Sequence, residues 1–182
     1  ERVSGASSFS HSIAYSMAVE RMAGIKTIER IKAIRTFLLE LERLYNHIGD
    51  IGNMCAGTAL MVGQAKGAFI KETLLQLNER LTGSRFLRGI NTIGGVTKDV
   101  FLQKFEISET IDMVEEEFKD LLKLLLGQAI HVERLTGTGR LPKEIAAKLG
   151  VTGVAARASG LSDDIRKSHP HLFYYKLDLK TY

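Results

Sequence analysis

From Thr27 onward the apolar residues Ile31, Ile34, Leu38, Leu41, Tyr45, Ile48 and Cys55 recur at helical intervals, the spacing that lines one face of an α-helix. It predicts a long helix with one buried stripe, begun by Thr27 as N-cap and with Glu29 at its positive end. A second helix carries Ile70, Leu74, Leu77 and Leu81, and Gly83 is placed to stop it in the left-handed conformation. A third, capped by Ser108, has the stripe Ile111, Val114, Phe118, Leu121, Leu125 and Val132. A shorter helix, about Ser12 to Ala23, is rich in Ala and Ser and ends at Gly24. Helices that each bury one stripe pack as a bundle, so the expected fold is mainly α: a helical bundle with long antiparallel helices and glycine-rich loops.

Two segments break this rhythm. Gly83 to Val96 reads as a long ordered loop, and long loops inside compact domains are more often functional than accidental. After Arg134 the chain turns through Gly137 and Gly139, enters a short helix from Pro142 to Leu149 and reaches Gly150-Val-Thr-Gly153, where short extended pieces are admissible. No internal repeat and no Pro- or Ser-rich linker interrupts the chain, which is expected to be a single helical domain over residues 1–182.

Composition narrows the classes. A chain of 182 residues with 45% apolar content can bury a substantial core. Its one cysteine, Cys55, excludes an internal disulfide framework and suits a reducing compartment. No apolar run reaches the roughly 18 to 20 residues that a membrane span requires, so work at a membrane would be done through partners. The net charge of +4 is unevenly spread, with acidic Glu109 to Asp120 and a basic stretch from Arg134. That asymmetry suits docking on an acidic partner or anionic headgroups, although a solvated face beside a basic tail is the simpler account of it. The basic residues are scattered and carry no recognition motif, so nucleic acid is not an expected partner. Gly137-x-Gly139 lacks the strand and third glycine of a dinucleotide fold.

The chain opens Glu-Arg-Val-Ser-Gly-Ala-Ser-Ser-Phe-Ser-His-Ser, through Ser12. This resembles the Glu-Arg-Val-Cys-Gly-x-Cys-x-Phe-x-His-Ser motif of membrane-bound NiFe hydrogenase large subunits, with Ser4 and Ser7 at the two metal-ligand cysteines. Further words are similar, in the same order, to a family that unites two kinds of protein: the large subunits of group 4, energy-converting NiFe hydrogenases, and the D-type subunit of NADH:quinone oxidoreductase, complex I. They are Ala14-Tyr15 with Ala18-Val19-Glu20, the stretch Arg35 to His47, Ile93-Gly-Gly-Val96, Gly150 to Gly160, and Asp164-Ile-Arg166.

The resemblance implies a fragment of a longer subunit in a membrane-associated oxidoreductase complex that couples electron transfer to ion translocation. It implies an iron–sulfur small subunit and membrane subunits as partners, an iron–sulfur cluster held by the small subunit, and NAD or quinone at the level of the complex. The expected location is the cytoplasmic side, peripheral on the inner face of the cytoplasmic membrane. The metal-ligand positions Ser4 and Ser7 are degenerate, because nickel and its bridge to iron need soft thiolates and a neutral hydroxyl is a poor ligand. No cofactor is therefore expected in this chain itself, and no metal. Quinone-reducing relatives carry a tyrosine in a shorter form of the opening motif, where Arg2 stands here, and an acidic residue where Gly57 stands. The alternatives kept beside this reading are a non-catalytic scaffold or coupling subunit of such a complex, and a basic interaction module unrelated to redox work.

The chemistry of individual side chains adds candidates. His11 holds the family's site-histidine position, and Arg88, with Arg85, lies in the glycine-bounded loop where a guanidinium meets an acceptor or shapes the loop itself. The catalytic candidates are His11 and Arg88. His47, on the shoulder of the long stripe, reads more simply as an interhelical histidine than as a ligand. Ser4 or Ser7 as nucleophile would have only His11 as base and no acid behind it, which sets a serine hydrolase aside. Arg157, Asp164 and Arg166 read as a structural ion-pair network. The opening segment, Gly83 to Val96 and Gly150 to Gly160 are expected to converge on one side of the bundle.

Overall fold

The computed structural model describes residues 3–180, which pack as two compact units divided between Arg134 and Leu135. Each is described by itself. No linker in the sequence marks this division, which falls just before Gly137 and Gly139, both in the left-handed region.

The first unit is built on helices α1 (Ser8–Met22), α2 (Glu29–Gly57), α3 (Met61–Thr82) and α4 (Lys104–Gly127), followed by α5 (Ala129–Leu135). The stripe read from the sequence is the core of α2: Ile34, Leu38, Leu41, Tyr45, Ile48 and Cys55 are all buried, Leu38 with no exposed surface. From α3 come Ile70, Leu74, Leu77 and Leu81, and from α4 Val114, Leu121 and Leu125. The mainly α expectation holds.

Helices α2 and α3 approach closely because glycine faces glycine. A Cβ on Gly67 would lie 2.7 Å from Gly52 Cα, and one on Gly63 would lie 2.9 Å from Cys55 Sγ and 3.0 Å from Leu125 Cδ2. Gly83 ends α3 as expected, at φ 83°, its N–H bonded to Glu79 O at 2.7 Å.

Several boundaries differ from the sequence reading. Thr27 is not the cap of α2: Ile28 is the N-cap residue and has no side-chain cap bond, while Glu29 does stand in the first turn, paired with Lys32 at 2.8 Å. Ser108 lies inside α4, which starts earlier because Asp99 caps a 3-10 turn, Val100–Gln103, that runs directly into it. The stripe predicted to reach Val132 in one helix breaks at Gln128, whose ψ of 99° is extended. In α5 it is His131 that turns inward, with Nδ1 2.7 Å from Thr58 Oγ1, while Arg134 donates to Thr58 O at 3.0 Å. The extended pieces expected near Gly150 lie instead in the loop after α3, where β1 (Asn91–Thr92) pairs antiparallel with β2 (Gly95–Val96) around the double glycine.

The second unit carries α6 (Lys143–Lys148), α7 (Gly153–Ala158) and α8 (Ile165–Ser168). Buried Asp164 caps α8 by accepting from Arg166 N at 2.9 Å and is gripped by the Arg166 guanidinium at 2.7 and 3.0 Å, with Arg157 3.7 Å away. Bonding from Arg166, with the charge of Arg157 behind it, holds the carboxyl far below the usual aspartate range. The trio forms an ion-pair network, as read from the sequence.

Candidate functional site

The opening segment is anchored by the long helix. Glu42 is buried on α2 and its two oxygens accept from Phe9 N and Ser10 N, each at 2.8 Å. A carboxylate on the orphan N–H groups of α1 satisfies donors that no intrahelical carbonyl reaches, and its charge complements the positive helix end. This long-range cap is why α1 starts at Ser8, ahead of the sequence estimate at Ser12. About one turn further along α2, Tyr45 Oη and Asn46 Nδ2 both donate to Ala6 O, at 3.1 and 2.9 Å. Burial, together with the Glu42 carboxylate, pushes the Tyr45 phenol above its ordinary range, so it remains a donor. The backbone from Ala6 to Ser10 is therefore fixed by three side chains of one helix.

A second anchor holds the double-glycine hairpin. Arg35 Nη1 and Nη2 donate to Glu20 at 3.0 and 2.7 Å, with Arg35 0% and Glu20 5% exposed. Arg35 Nη2 also donates to Thr92 O at 2.7 Å and Gly95 O at 3.2 Å, while Gly94 N donates to Glu20 Oε1 at 2.7 Å. The bonding from Arg35 keeps Glu20 below the ordinary glutamate range although burial opposes it. Beside this pair, Asn91 Nδ2 reaches Ser12 O, Ser12 Oγ and Ser16 Oγ at 3.1, 3.0 and 2.8 Å, and Ser8 Oγ donates to Phe86 O at 2.9 Å. Two of the three loops named from the sequence thus meet, the opening segment and Gly83 to Val96. Gly150 to Gly160 belongs to the second unit, where it forms a turn and α7.

The two catalytic candidates share a place. His11 and Arg88 line one cleft of about 480 Å³, together with Val3, Ser12, Tyr15 and Leu87. Arg85 does not join them, since it forms a two-bonded pair with Glu72 at 2.6 and 2.7 Å and so shapes the loop. Ser7 and His47 line a different pocket of about 370 Å³, beside Glu42. His47 is exposed on α2 rather than lodged between helices. Ser4 Oγ accepts from Ser7 N at 3.3 Å, a local turn. The expectation attached to Arg2 lies outside the described residues. Gly57 is the last residue of α2, and a Cβ there would meet nothing within 4 Å.

The donor set at Ser4 and Ser7 does not suit a nickel–iron centre. Two neutral hydroxyls, one of them already bonded to backbone, offer no soft anionic sulfur. The one thiol, Cys55, is buried near the far end of α2, and burial raises its pKa. Thiolate ligation by it is disfavoured.

The model of the respiratory-chain NADH dehydrogenase 49-kDa subunit matches residues 50–182. The chain belongs to this family. It is 39% identical over 171 residues to the NADH-quinone oxidoreductase D-type subunit of Thermosipho melanesiensis, covering 93% of this chain and 46% of that protein. It is 36% identical over 185 residues to formate hydrogenlyase subunit 5 of Escherichia coli K12, covering 100% of this chain and 32% of that protein. Among solved structures, a chain of the membrane-bound sulfane sulfur reductase, an archaeal respiratory membrane complex, superposes with a TM-score of 0.84 at 33% identity, over 91% of this chain and 45% of that one. The chain thus spans less than half the length of these relatives. The family words that fall in the first unit are the contacts just described: Glu20, Arg35, Glu42, Tyr45, Asn46 and the double glycine all hold one surface in shape.

Glu20, Arg35 and Glu42 stand inside those words, yet the sequence reading assigned them no role. A signal was present. Arg35 and Glu42 are two turns apart on the face that also carries Leu38 and Tyr45, and a charge on a buried stripe needs a partner.

Proposed function

We propose that this chain is part of the large subunit of a membrane-associated oxidoreductase complex coupling electron transfer to ion movement, and that it holds no nickel–iron centre of its own at Ser4 and Ser7. The observation that carries the reading is the double anchoring of an opening loop without thiolates. Glu42, Tyr45 and Asn46 fix Ala6 to Ser10, and the Glu20–Arg35 pair fixes the hairpin beside it. Loops held on a rigid helical frame are where sites are built. Here the frame presents a surface for a partner that carries the redox group, an iron–sulfur small subunit, with quinone or NAD handled elsewhere in the complex.

The names of the relatives, an NADH-quinone oxidoreductase, a formate hydrogenlyase and a sulfane sulfur reductase, support oxidoreduction as the reaction type. None of the helices among the described residues is long and apolar enough to cross a membrane. Attachment to the inner face of the membrane would then come through membrane subunits.

The test is affinity purification of the full-length protein from its native membrane. An iron–sulfur protein should co-purify, cross-links from exposed Lys98 should reach it, and nickel should stay at background by elemental analysis. Stoichiometric nickel would remove the second half of the reading. A protein that leaves the membrane alone, with no iron–sulfur partner, would remove the first.

A further inference from the structure

The cleft beside the opening segment is lined by an arginine whose charge no carboxylate among the described residues closes. Among the described residues none pairs with Arg88; its guanidinium lies over the Phe86 ring, 5.0 Å from the centroid, and its Nε is buried without an acceptor. The contrast with its neighbours is sharp, because Arg35 and Arg85 are each closed on a carboxylate by two bonds. A buried donor left without an acceptor is costly, and native proteins keep few of them.

The backbone at this point is also strained. Leu87 is 2% exposed and has φ 56°, in the left-handed region that disfavours a leucine. Strain of this kind persists only where the surroundings hold it, and it gathers at binding sites. Its consequence here is a loop that buries Leu87 while Arg88 lines the cleft.

The remaining lining sets the chemistry. Ser12 Oγ accepts from Asn91 Nδ2 at 3.0 Å, which leaves its O–H able to donate, and His11 is exposed at the same cleft. Val3 and the ring of Tyr15 supply apolar walls, and Tyr15 is 66% exposed. We infer that this cleft binds a small organic anion of the carboxylate class, with Arg88 taking the charge and Val3 and Tyr15 packing on the apolar body. A guanidinium and a hydroxyl donor facing an oxyanion form charge-assisted bonds, while apolar walls favour a ligand with a hydrocarbon or aromatic body over a bare inorganic anion. The cleft adjoins the opening segment that the proposed function gives to the redox partner, and because anion binding is read by itself, its failure would leave that reading standing.

Calorimetric titration of the full-length protein tests it, with benzoate, its neutral isostere benzamide, and inorganic phosphate as probes. Benzoate should bind saturably, benzamide at least about tenfold more weakly, and phosphate more weakly than benzoate. Arg88→Gln should lower benzoate affinity about tenfold or more. Tyr15→Ala, at an exposed position, should lower it roughly fivefold and keeps the test decisive if Arg88→Gln does not fold. Equal binding of benzoate and benzamide, phosphate binding as tightly as benzoate, or benzoate affinity unchanged in either variant would overturn the site.

Discussion

Arg35 of α2 and Glu20 of α1 form a buried two-bonded pair, at 2.7 and 3.0 Å, and the same two side chains also bond the backbone at Thr92, Gly94 and Gly95. Three segments far apart in sequence are therefore joined at one point. Arg35 Nε is buried and lacks a partner among the described residues, so the joint is satisfied on its paired face only.

Removing one member of such a pair strands the other charge away from water. Arg35→Met should destabilise the fold by about 3 to 5 kcal/mol, measured by chemical denaturation. The pH dependence has a definite sign. The pair holds the folded Glu20 pKa below its unfolded value, so its contribution is present above the ordinary glutamate range, about 4 to 5, and is lost as pH falls through that range towards the folded value. Glu20→Gln should flatten the fall in stability over this interval. Parallel losses in both proteins between about pH 7 and pH 3 would mean that Glu20 is not the group responsible.

Glu42 sets the start of α1. In Glu42→Ala the amides of Phe9 and Ser10 lose their acceptors, and the expected cost is about 1 to 3 kcal/mol. Hydrogen exchange should show those two amides opening much faster than the middle of α1, around Ile13 and Ser16. Unchanged protection at Phe9 and Ser10 would refute the cap.

The glycine contact between α2 and α3 makes a prediction about size. A Cβ on Gly67 would sit 2.7 Å from Gly52 Cα, which is backbone and cannot swing away. Gly67→Ala should cost about 1 to 3 kcal/mol. Gly57→Ala, in the last turn of α2 with nothing within 4 Å, should be neutral or slightly stabilising, by up to about 1 kcal/mol. If thermal melts of the two variants coincide, the close approach of these helices is not a packing constraint.

The family words were legible as words because each is short and local, and their order survives in the chain. Their function as contacts was not. Glu20 and Gly94 bond across 74 positions of sequence, and Glu42 caps a helix by bonding an amide 33 residues before it. Likewise Ser108 looked like a cap because capping chemistry is local, while the true start of α4 follows from Asp99 bonding Phe101 N. Arg85 and Arg88 share one loop and one side-chain type, and the position of Glu72 on α3 is what separates a loop brace from an unclosed charge.

Residue order alone was enough for the helical architecture, for the buried stripe of α2 and for the hydroxyls in place of any thiol at Ser4 and Ser7, because periodicity and side-chain chemistry are carried by the residues themselves. Which charges are spent and which remain was settled by packing. Burial removes water as the alternative partner, so a charged residue's role depends on what the fold brings within about 3 Å of it. For Arg35 that is Glu20 and the hairpin; for Arg88 it is the face of Phe86 and an open cleft.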